Sequence, residues 1–243
     1  MDTWENWFEA GHVAIVTGGS RGLGYAIARQ LLARGLHVIV DGRDATALEA
    51  ARTELAELGD VAAIAGDVAD AAHAHTLVAA AARRGRLDLL VNNASTLGAV
   101  PLRPLEDARR ETLREVFETN AVAPLHLAQH ALPLLRASGV GTIVNVTSDA
   151  AVDAYAGWGP YGASKAALEC LSRVLATELD GSGVRVLVAD PGEMDTRMHR
   201  DAVPDADPAE LGSPEDAARA ILHAVATMTG TYARVSAAGA VHA

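Results

Sequence analysis

The sequence predicts an α/β fold, a single doubly wound domain built around a mostly parallel seven-stranded sheet. Short apolar stretches rich in β-branched residues alternate with longer stretches of helical periodicity through most of the 243 residues. The apolar stretches contain few polar residues, as expected for strands that helices cover on both faces. A glycine-rich turn follows the first strand and opens the first helix. Regular strand–helix alternation of this kind produces parallel strands joined by helical crossovers.

The first half of the chain contains four predicted strands, at residues 12–17, 37–40, 61–65 and 87–91. The first helix follows the glycine turn and ends at Gly35, because glycine readily adopts the left-handed conformation that terminates a helix. The next two helices are predicted around residues 48–58 and 71–84.

The second half begins with a loop rich in proline and glycine. A long helix is predicted from about residue 105 to residue 137, with interruptions near Pro124 and Pro133. Ser213 and Pro214 predict the start of the last helix, which ends by Gly230. Residues 193–212 lack periodicity and are predicted to form a mobile substrate loop. The remaining predicted elements are strands at residues 142–146, 184–188 and 232–235 and a helix at residues 158–180. No linker divides residues 1–243, so one domain is expected.

Composition and charge argue against several classes of function. Half of the residues are hydrophobic, which suits one full-sized core. The formal net charge of −11 argues against nucleic acid or an anionic membrane as a partner. No apolar run approaches the ~20 residues needed to span a bilayer, and the acidic N-terminus lacks the features of a signal peptide. The single cysteine, Cys170, cannot form an intrachain disulfide. A cytoplasmic protein is therefore expected.

The glycine-rich turn has the chemistry of a phosphate-binding loop. Gly18, Gly22 and Gly24 lie in the segment TGGSRGLG, between a strand and a helix. A tight turn without side chains lets backbone N–H groups and a helix N-terminus approach a pyrophosphate. We therefore predict a dinucleotide site here; a plain glycine-rich loop is the alternative.

Tyr161 and Lys165 are four residues apart, which places them on one face of a helix. A phenol ionises near about pH 10, and an ammonium beside it is expected to lower that pKa. Such a pair can pass a proton to or from a substrate oxygen near neutral pH. A surface tyrosine beside a solvated lysine is the alternative for so short a motif.

Three features in this order resemble the short-chain dehydrogenase/reductase family: the TGxxxGxG turn, the strand at residues 144–148 that ends in hydroxyls, and the Tyr161–Lys165 pair. The resemblance extends from residue 12 to about residue 235. It implies a Rossmann domain that transfers hydride between a nicotinamide cofactor and a carbonyl or alcohol carbon of a small organic substrate. It also implies assembly as a homodimer or homotetramer.

The resemblance implies four catalytic residues. Tyr161 would be the acid/base, and Lys165 would lower the pKa of Tyr161 and bind the nicotinamide ribose. Ser148 would hydrogen-bond the substrate oxygen as charge develops, with Thr147 as the less favoured hydroxyl. Asn120 matches the asparagine that breaks the long helix locally and holds a water in a proton relay to the lysine. An ordinary helical asparagine is the alternative.

The resemblance also implies cofactor contacts at the C-terminal ends of the strands, where ligands bind in open α/β sheets. Asp67 and Val68 match the pair that brackets the adenine. Asn93 and Ala94 match the NNAG turn, in which Ser95 replaces the final glycine. A PGxxxT segment would hold the nicotinamide carboxamide. The complete implied set is Gly18, Ser20, Arg21, Gly22, Leu23, Gly24, Arg43, Asp67, Val68, Asn93, Ala94, Tyr161, Lys165, Pro191, Gly192, Met194 and Thr196.

The end of the second strand gives conflicting signals about the cofactor. NAD enzymes place an acid there for the ribose hydroxyls, whereas NADP enzymes offer arginine to the 2′-phosphate. By resemblance, Gly42 takes the place of the acid and Arg43 that of the base, and Arg21 is a second cation. Asp41, one residue away, would repel a phosphate if it faced the same pocket. Two guanidiniums outweigh one acid, so NADP(H) is favoured, with NAD(H) possible.

No metal site is predicted. His126 and His130 are four residues apart on one predicted helix, which allows two ligands, but no third ligand is evident. His73 and His75 are expected on different faces of their helix.

The function predicted from these residues is an NADP(H)-dependent carbonyl reductase. An NAD-dependent alcohol dehydrogenase of the same family is the alternative enzyme. A dinucleotide-binding regulatory protein without turnover is the alternative of a different class. The presence of Ser148, Tyr161 and Lys165 argues against the regulatory protein.

Overall fold

A computed structural model describes residues 8–237 and confirms the predicted doubly wound Rossmann fold. Its single sheet has seven strands in the order β3-β2-β1-β4-β5-β6-β7. Every neighbouring pair is parallel, so the sheet is wholly rather than mostly parallel. The strands are β1 Val13–Val16, β2 His37–Gly42, β3 Val61–Ala65, β4 Leu89–Asn92, β5 Thr142–Val146, β6 Arg185–Asp190 and β7 Tyr232–Ser236.

Helices cover both faces of the sheet. Those on one face are α1 Gly22–Leu32, α2 Ala45–Leu55 and α8 Pro214–Thr227. Those on the other face are α3 Ala71–Ala82, α5 Ala123–Ser138 and α6 Gly159–Glu178. The shorter helices are α4 Arg110–Phe117 and α7 Arg197–Ala202.

The strands separate two apolar cores. In β1, Ala14 and Val16 pack against the first helix layer, whereas Val13 and Ile15 pack against the second. All four side chains are buried, since successive strand residues point to opposite faces of the sheet. Full burial of one such aliphatic side chain contributes about 1.5–3 kcal/mol. The strands are apolar along almost their whole length because helices cover both faces of the sheet.

The predicted long helix is divided differently from the expectation. A 3₁₀ turn at Leu105–Asp107 precedes α4, and a π-helical turn at Glu118–Val122 joins α4 to α5. The predicted interruption near Pro133 is wrong, because Pro133 lies within α5. Pro133 and Gln129, whose carbonyl loses its helical partner, are both exposed, so water can satisfy that carbonyl.

The sequence predicts a loop without regular secondary structure at residues 193–212, but the structure shows helical turns there. These residues contain α7 and a 3₁₀ turn at Pro208–Glu210. Thr196 caps α7 by accepting a hydrogen bond from the His199 N–H. The helix has only six residues, which is too short for a helical periodicity to be visible in the sequence. Motion of this segment stays a prediction.

Within residues 8–237, the helices are all too short or too polar to cross a bilayer.

Candidate active site

The residues implied in catalysis and cofactor binding lie at one edge of the sheet, apart from Asn120 in the π-helical turn and Tyr161 and Lys165 on α6. All the other implied residues follow the C-terminal end of a parallel strand, where an α/β sheet opens toward a ligand. From β1 onward they are the glycine turn, Arg43, Asp67 and Val68, Asn93 and Ala94, Ser148, and the segment from Pro191 to Thr196.

The glycine turn and the start of α1 have features of an anion-binding site. Gly18 and Gly22 have positive φ angles of 67° and 55°, a conformation that glycine adopts without strain. The N-cap of α1 is Arg21, whose side chain carries only donors and cannot cap the helix amides. The first turn of α1 also contains no acidic residue. These local features fit the pyrophosphate of a dinucleotide.

Close packing fixes the shape of this turn. A Cβ atom added to Gly24 would collide with the Gly18 carbonyl oxygen and with the side-chain amide of Asn93. Asn93 donates from Nδ2 to the Thr17 carbonyl at 2.8 Å, and its own N–H donates to the Thr17 hydroxyl at 3.0 Å. Asn93 therefore supports the turn from β4, and Gly24 is required because the helix approaches the turn so closely.

Asp41 lies behind the glycine turn, with only 1% of its surface exposed. Its carboxylate accepts the Gly18 N–H at 2.7 Å and contacts the His73 Nε2 at 3.0 Å. A carboxylate oxygen can only accept, so His73 donates from Nε2. Both carboxylate oxygens of Asp41 are thus used to hold the turn and α3.

The rim beyond β2 carries cations. Arg43 is 62% exposed in its side chain, and its Nη1 lies 4.0 Å from the Asp67 carboxylate. Arg21 is also exposed. A Cβ added to Gly42 would lie 3.4 Å from the Ser20 hydroxyl, so Gly42 and Ser20 face each other across this rim. Arg43, the Asp67 carboxylate and the Ser20 hydroxyl therefore lie at this rim.

Tyr161 and Lys165 are both buried, on α6. The Lys165 ammonium donates to the Val146 carbonyl at 2.8 Å and lies 5.5 Å from the centre of the Tyr161 ring. Burial lowers the pKa of Lys165 to about 8 and raises the pKa of Tyr161 to about 12. Desolvation of the phenolate is the largest influence on the Tyr161 pKa in the chain alone, and a lowering of that pKa by Lys165 stays a prediction.

Ser148 stands at the end of β5, close to the phenol. Hydrogen bonding from Ser148 and from Ser95 opposes the rise in the Tyr161 pKa. The Ser148 hydroxyl donates to Asp149 Oδ1 at 2.8 Å, and the Tyr155 hydroxyl donates to Asp149 Oδ2 at 2.8 Å. Burial would raise the pKa of Asp149, but the hydrogen bonds from both hydroxyls lower it. Asp149 therefore orients Ser148 and Tyr155.

Asn120 lies in the π-helical turn, which confirms that it sits at a local break in the long helix. Its Oδ1 accepts from the Ser95 hydroxyl at 3.1 Å and from the Thr96 N–H at 2.9 Å. Its Nδ2 donates to the Thr96 carbonyl at 2.9 Å and to the Ser164 hydroxyl at 3.0 Å. Asn120 thus ties the loop after β4 to the helix that carries Tyr161. Its part in a water relay stays a prediction.

The segment after β6 faces the glycine turn. Gly192 donates its N–H to the Asp190 carboxylate at 3.0 Å. Met194 and Gly212 form an isolated parallel β-bridge through their backbones. A Cβ added to Gly22 would lie 3.4 Å from the Thr196 methyl. Thr196 and the glycine turn therefore approach each other at this edge of the sheet.

A cleft of about 150 Å³ opens beside Tyr161. The loop and helix at residues 97–112 form one wall, and Gly157 and Pro160 form part of the other. Arg103 and Arg109 also line it. The cleft leads from solvent to the candidate acid/base and has room for part of a small organic molecule.

The model of the family described as short chain dehydrogenase matches residues 12–207. The chain belongs to the short-chain dehydrogenase/reductase family. Members act on CH–OH and C=O groups with a nicotinamide cofactor.

Individual members match over nearly the whole chain. The rhamnolipids biosynthesis 3-oxoacyl-[acyl-carrier-protein] reductase of Pseudomonas aeruginosa is 38% identical, and the alignment covers 92% of each chain. The structure of the Pseudomonas aeruginosa RhlG/NADP active-site complex is 36% identical with a TM-score of 0.83, covering 95% of this chain and 97% of that one. A short chain dehydrogenase from Salmonella enterica has a TM-score of 0.89 at 27% identity, covering 98% and 99%.

Two residues of this short-chain dehydrogenase site were missed in the sequence. Ser95 was noticed only as a substitution for glycine, yet its hydroxyl contacts both Asn120 and Tyr161. Asp149 directly follows Ser148 and holds its hydroxyl. A carboxylate beside a catalytic hydroxyl was the available signal for Asp149. The sequence offered none for Ser95, whose contacts are 25 or more residues away.

The structure also places a third histidine beside His126 and His130. This histidine is His75, on α3 of this short-chain dehydrogenase. One nitrogen from each of the three rings lies within 4.8 Å of the nitrogens of the other two. No third ligand was evident for His126 and His130 in the sequence, and the structure supplies a candidate in His75. His73 and His75 do face different surroundings, since His73 is buried against Asp41 and His75 is exposed.

Proposed function

We propose that this protein is an NADPH-dependent reductase that converts a ketone of a small organic substrate to a secondary alcohol. The observation that carries the proposal is the convergence of Tyr161, Ser148 and the buried Lys165 beside the glycine turn. Membership of the short-chain dehydrogenase family supports the reaction class. Burial raises the pKa of Tyr161 to about 12, so the phenol holds a proton at neutral pH that it can donate to a carbonyl oxygen.

The residues present fit a nicotinamide dinucleotide, since the glycine turn, the uncapped α1 amides and the segment after β6 surround one opening. When bound, NADPH supplies the hydride that reduces the carbonyl carbon. The Tyr161 phenol donates the proton to the carbonyl oxygen. Ser148 turns its hydroxyl from Asp149 to that oxygen and stabilises the developing negative charge. Lys165 presents an ammonium beneath the phenol and binds the ribose of the cofactor.

The proposed preference for NADPH rests on the surroundings of the second strand's end. Asp41 uses both carboxylate oxygens on Gly18 and His73, so it does not face the rim where a 2′-phosphate would lie. Arg43 and Arg21 remain exposed there. A relative with 36% identity was solved as an NADP complex, which supports the same choice.

The cleft and the relatives together suggest the substrate class. The relative with 38% identity is named a 3-oxoacyl-[acyl-carrier-protein] reductase, and a 3-oxoacyl thioester places a ketone beside an extended chain. The cleft beside Tyr161 is lined by apolar side chains and by two arginines and Asp107, which suits an apolar chain with a polar end. Met198 and Ala202 pack against the cluster that contains Leu97 and Tyr161, and we propose that residues 193–212 close over this cleft when substrate binds.

Steady-state consumption of NADPH tests the function. The purified protein is assayed with simple ketones, cyclic ketones and a 3-oxoacyl thioester, and NADPH binding is measured separately by calorimetry. Turnover of at least one ketone is expected. Binding of NADPH without turnover of any ketone would favour the regulatory protein, and alcohol oxidation with NAD as the better cofactor would favour the alternative dehydrogenase.

The pH dependence follows from Lys165. Its pKa of about 8 is lowered by burial from 10.5, so the ammonium is present below about pH 8 and lost above it. We expect kcat/KM for NADPH to fall as pH rises through 8, since this ratio reports ionisations of the free enzyme. A Lys165→Arg variant keeps its charge over this range and should be less active but lack the decline. A wild-type profile that is flat from pH 7 to 10 would contradict the assignment.

We also propose a homodimer or homotetramer, as is common in the family. Val174, on α6, is an exposed apolar side chain with half of its surface accessible, and Ala163 and Ala167 on the same helix would permit close approach of a second copy. Light scattering at micromolar concentration should give at least twice the 25.1 kDa chain mass. A monomeric mass would refute this. The lone cysteine, Cys170, supports a reducing cytoplasmic location.

A further inference from the structure

Three imidazole rings meet on the surface between two neighbouring helices. His75 lies on α3, and His126 and His130 lie one turn apart on α5. The ring centres are 3.9 Å apart for His75 and His130, and 4.4 Å apart for His126 and His130. His75 is exposed, and the other two are half-buried. The cluster is separate from the residues that line the cleft or hold the glycine turn.

The spacing of the ring nitrogens suits a shared ion. The Nε2 atoms of His126 and His130 are 3.2 Å apart. Two imidazole nitrogens bound tetrahedrally to zinc at about 2.0–2.1 Å lie about 3.3–3.4 Å from each other. The three candidate nitrogens all lie within 4.8 Å of one another, so a small approach of the side chains that keeps the His75 ring orientation brings the third nitrogen into bonding distance.

A backbone contact prepares His75 to act as a ligand. Its Nδ1 lies 3.3 Å from the carbonyl oxygen of Ala71, one turn earlier on α3. A carbonyl oxygen can only accept, so Nδ1 carries the proton and Nε2 keeps its lone pair. Histidines that bind metals typically donate their other ring N–H to a carbonyl or carboxylate in this way, which fixes the tautomer and the ring orientation.

We propose that His75, His126 and His130 form a binding site for a divalent transition-metal ion, with zinc as the preferred occupant. Three neutral imidazoles suit zinc, copper or nickel rather than calcium or magnesium, which prefer oxygen ligands. The fourth position of the ion faces solvent and takes a water molecule. Because the ligands come from two helices, the ion joins α3 to α5 and stabilises the packing of that helix layer.

The test uses the untagged full-length chain after treatment with a chelator. Calorimetric titration with zinc chloride should give one ion per chain, and cobalt(II) should give the visible absorption of a tetrahedral site. The melting temperature should rise with added zinc, since an ion that binds only the folded state stabilises it. Absence of saturable binding would overturn the proposal.

Single variants identify the ligands. His75→Ala, His126→Ala and His130→Ala should each weaken zinc binding by at least about 10-fold, since even loss of an outer partner of a ligand costs 10–100-fold. His223→Ala, at an exposed histidine on α8, is the matched control and should bind zinc like the wild type. Equal affinity in all four variants would overturn the proposal.

Folding and function are followed separately. Circular dichroism and NADPH binding of each variant report whether the fold is intact. If His126→Ala does not fold, His75→Gln decides the question because His75 is exposed and tolerates substitution. The readout is metal affinity, so failure of the proposed reductase activity would leave this result unaffected.

Discussion

Replacing Tyr161 with phenylalanine is expected to lower ketone turnover by at least about 10²-fold, the usual scale of general acid catalysis. The substitution removes one oxygen and keeps the ring, which packs with Leu97, Ala150 and Trp158. Folding and NADPH binding should therefore survive. Initial rates at saturating NADPH and substrate measure the effect, and calorimetry measures cofactor binding.

A matched control comes from a tyrosine outside the site. Tyr232 lies in β7 and packs against the second core, so Tyr232→Phe should keep near-native turnover. Near-native turnover of Tyr161→Phe would remove Tyr161 from the mechanism. A loss of turnover accompanied by a similar loss of NADPH affinity would instead indicate a role in cofactor binding.

Replacing Arg43 with alanine is expected to weaken NADPH binding by about 10-fold while leaving NADH nearly unchanged. A hydrogen bond to a charged group contributes about 1.5–3 kcal/mol, and each ~1.4 kcal/mol changes affinity tenfold. The lower end applies because Arg43 is 62% exposed and water screens the interaction. Michaelis constants for both cofactors, measured with wild type and variant, provide the test.

Two further variants separate the possible causes. Arg219→Ala removes an exposed guanidinium on α8 that pairs with Asp216 and should affect neither cofactor. Arg21→Ala combined with Arg43→Ala should weaken NADPH more than either change alone. Equal losses for NADPH and NADH, or a wild-type preference for NADH, would mean that Asp41 is the ribose ligand and that the end of β2 was aligned wrongly by one residue.

The sequence by itself determined the fold and the order of its elements. Strands that are covered on both faces are largely apolar, and β1 shows this in every residue. The strand pattern placed Ser148 after the end of β5, and the four-residue spacing placed Tyr161 and Lys165 one turn apart on a helix. Each of these signals is local in the chain, lying within about one turn or one strand.

Only the tertiary structure decided the environment of those residues. In the sequence, Asp41 argued against NADP(H) because an acid facing the 2′-phosphate would repel it. Its contact with His73, 32 residues away, shows where the carboxylate points. Burial raises the pKa of Tyr161, an effect that its spacing from Lys165 did not reveal. His75 joins His126 and His130 across a gap of about fifty residues because α3 and α5 pack side by side. Burial and contacts between distant segments depend on how whole helix and sheet layers pack. The periodicity of one segment does not indicate which other segment will pack beside it.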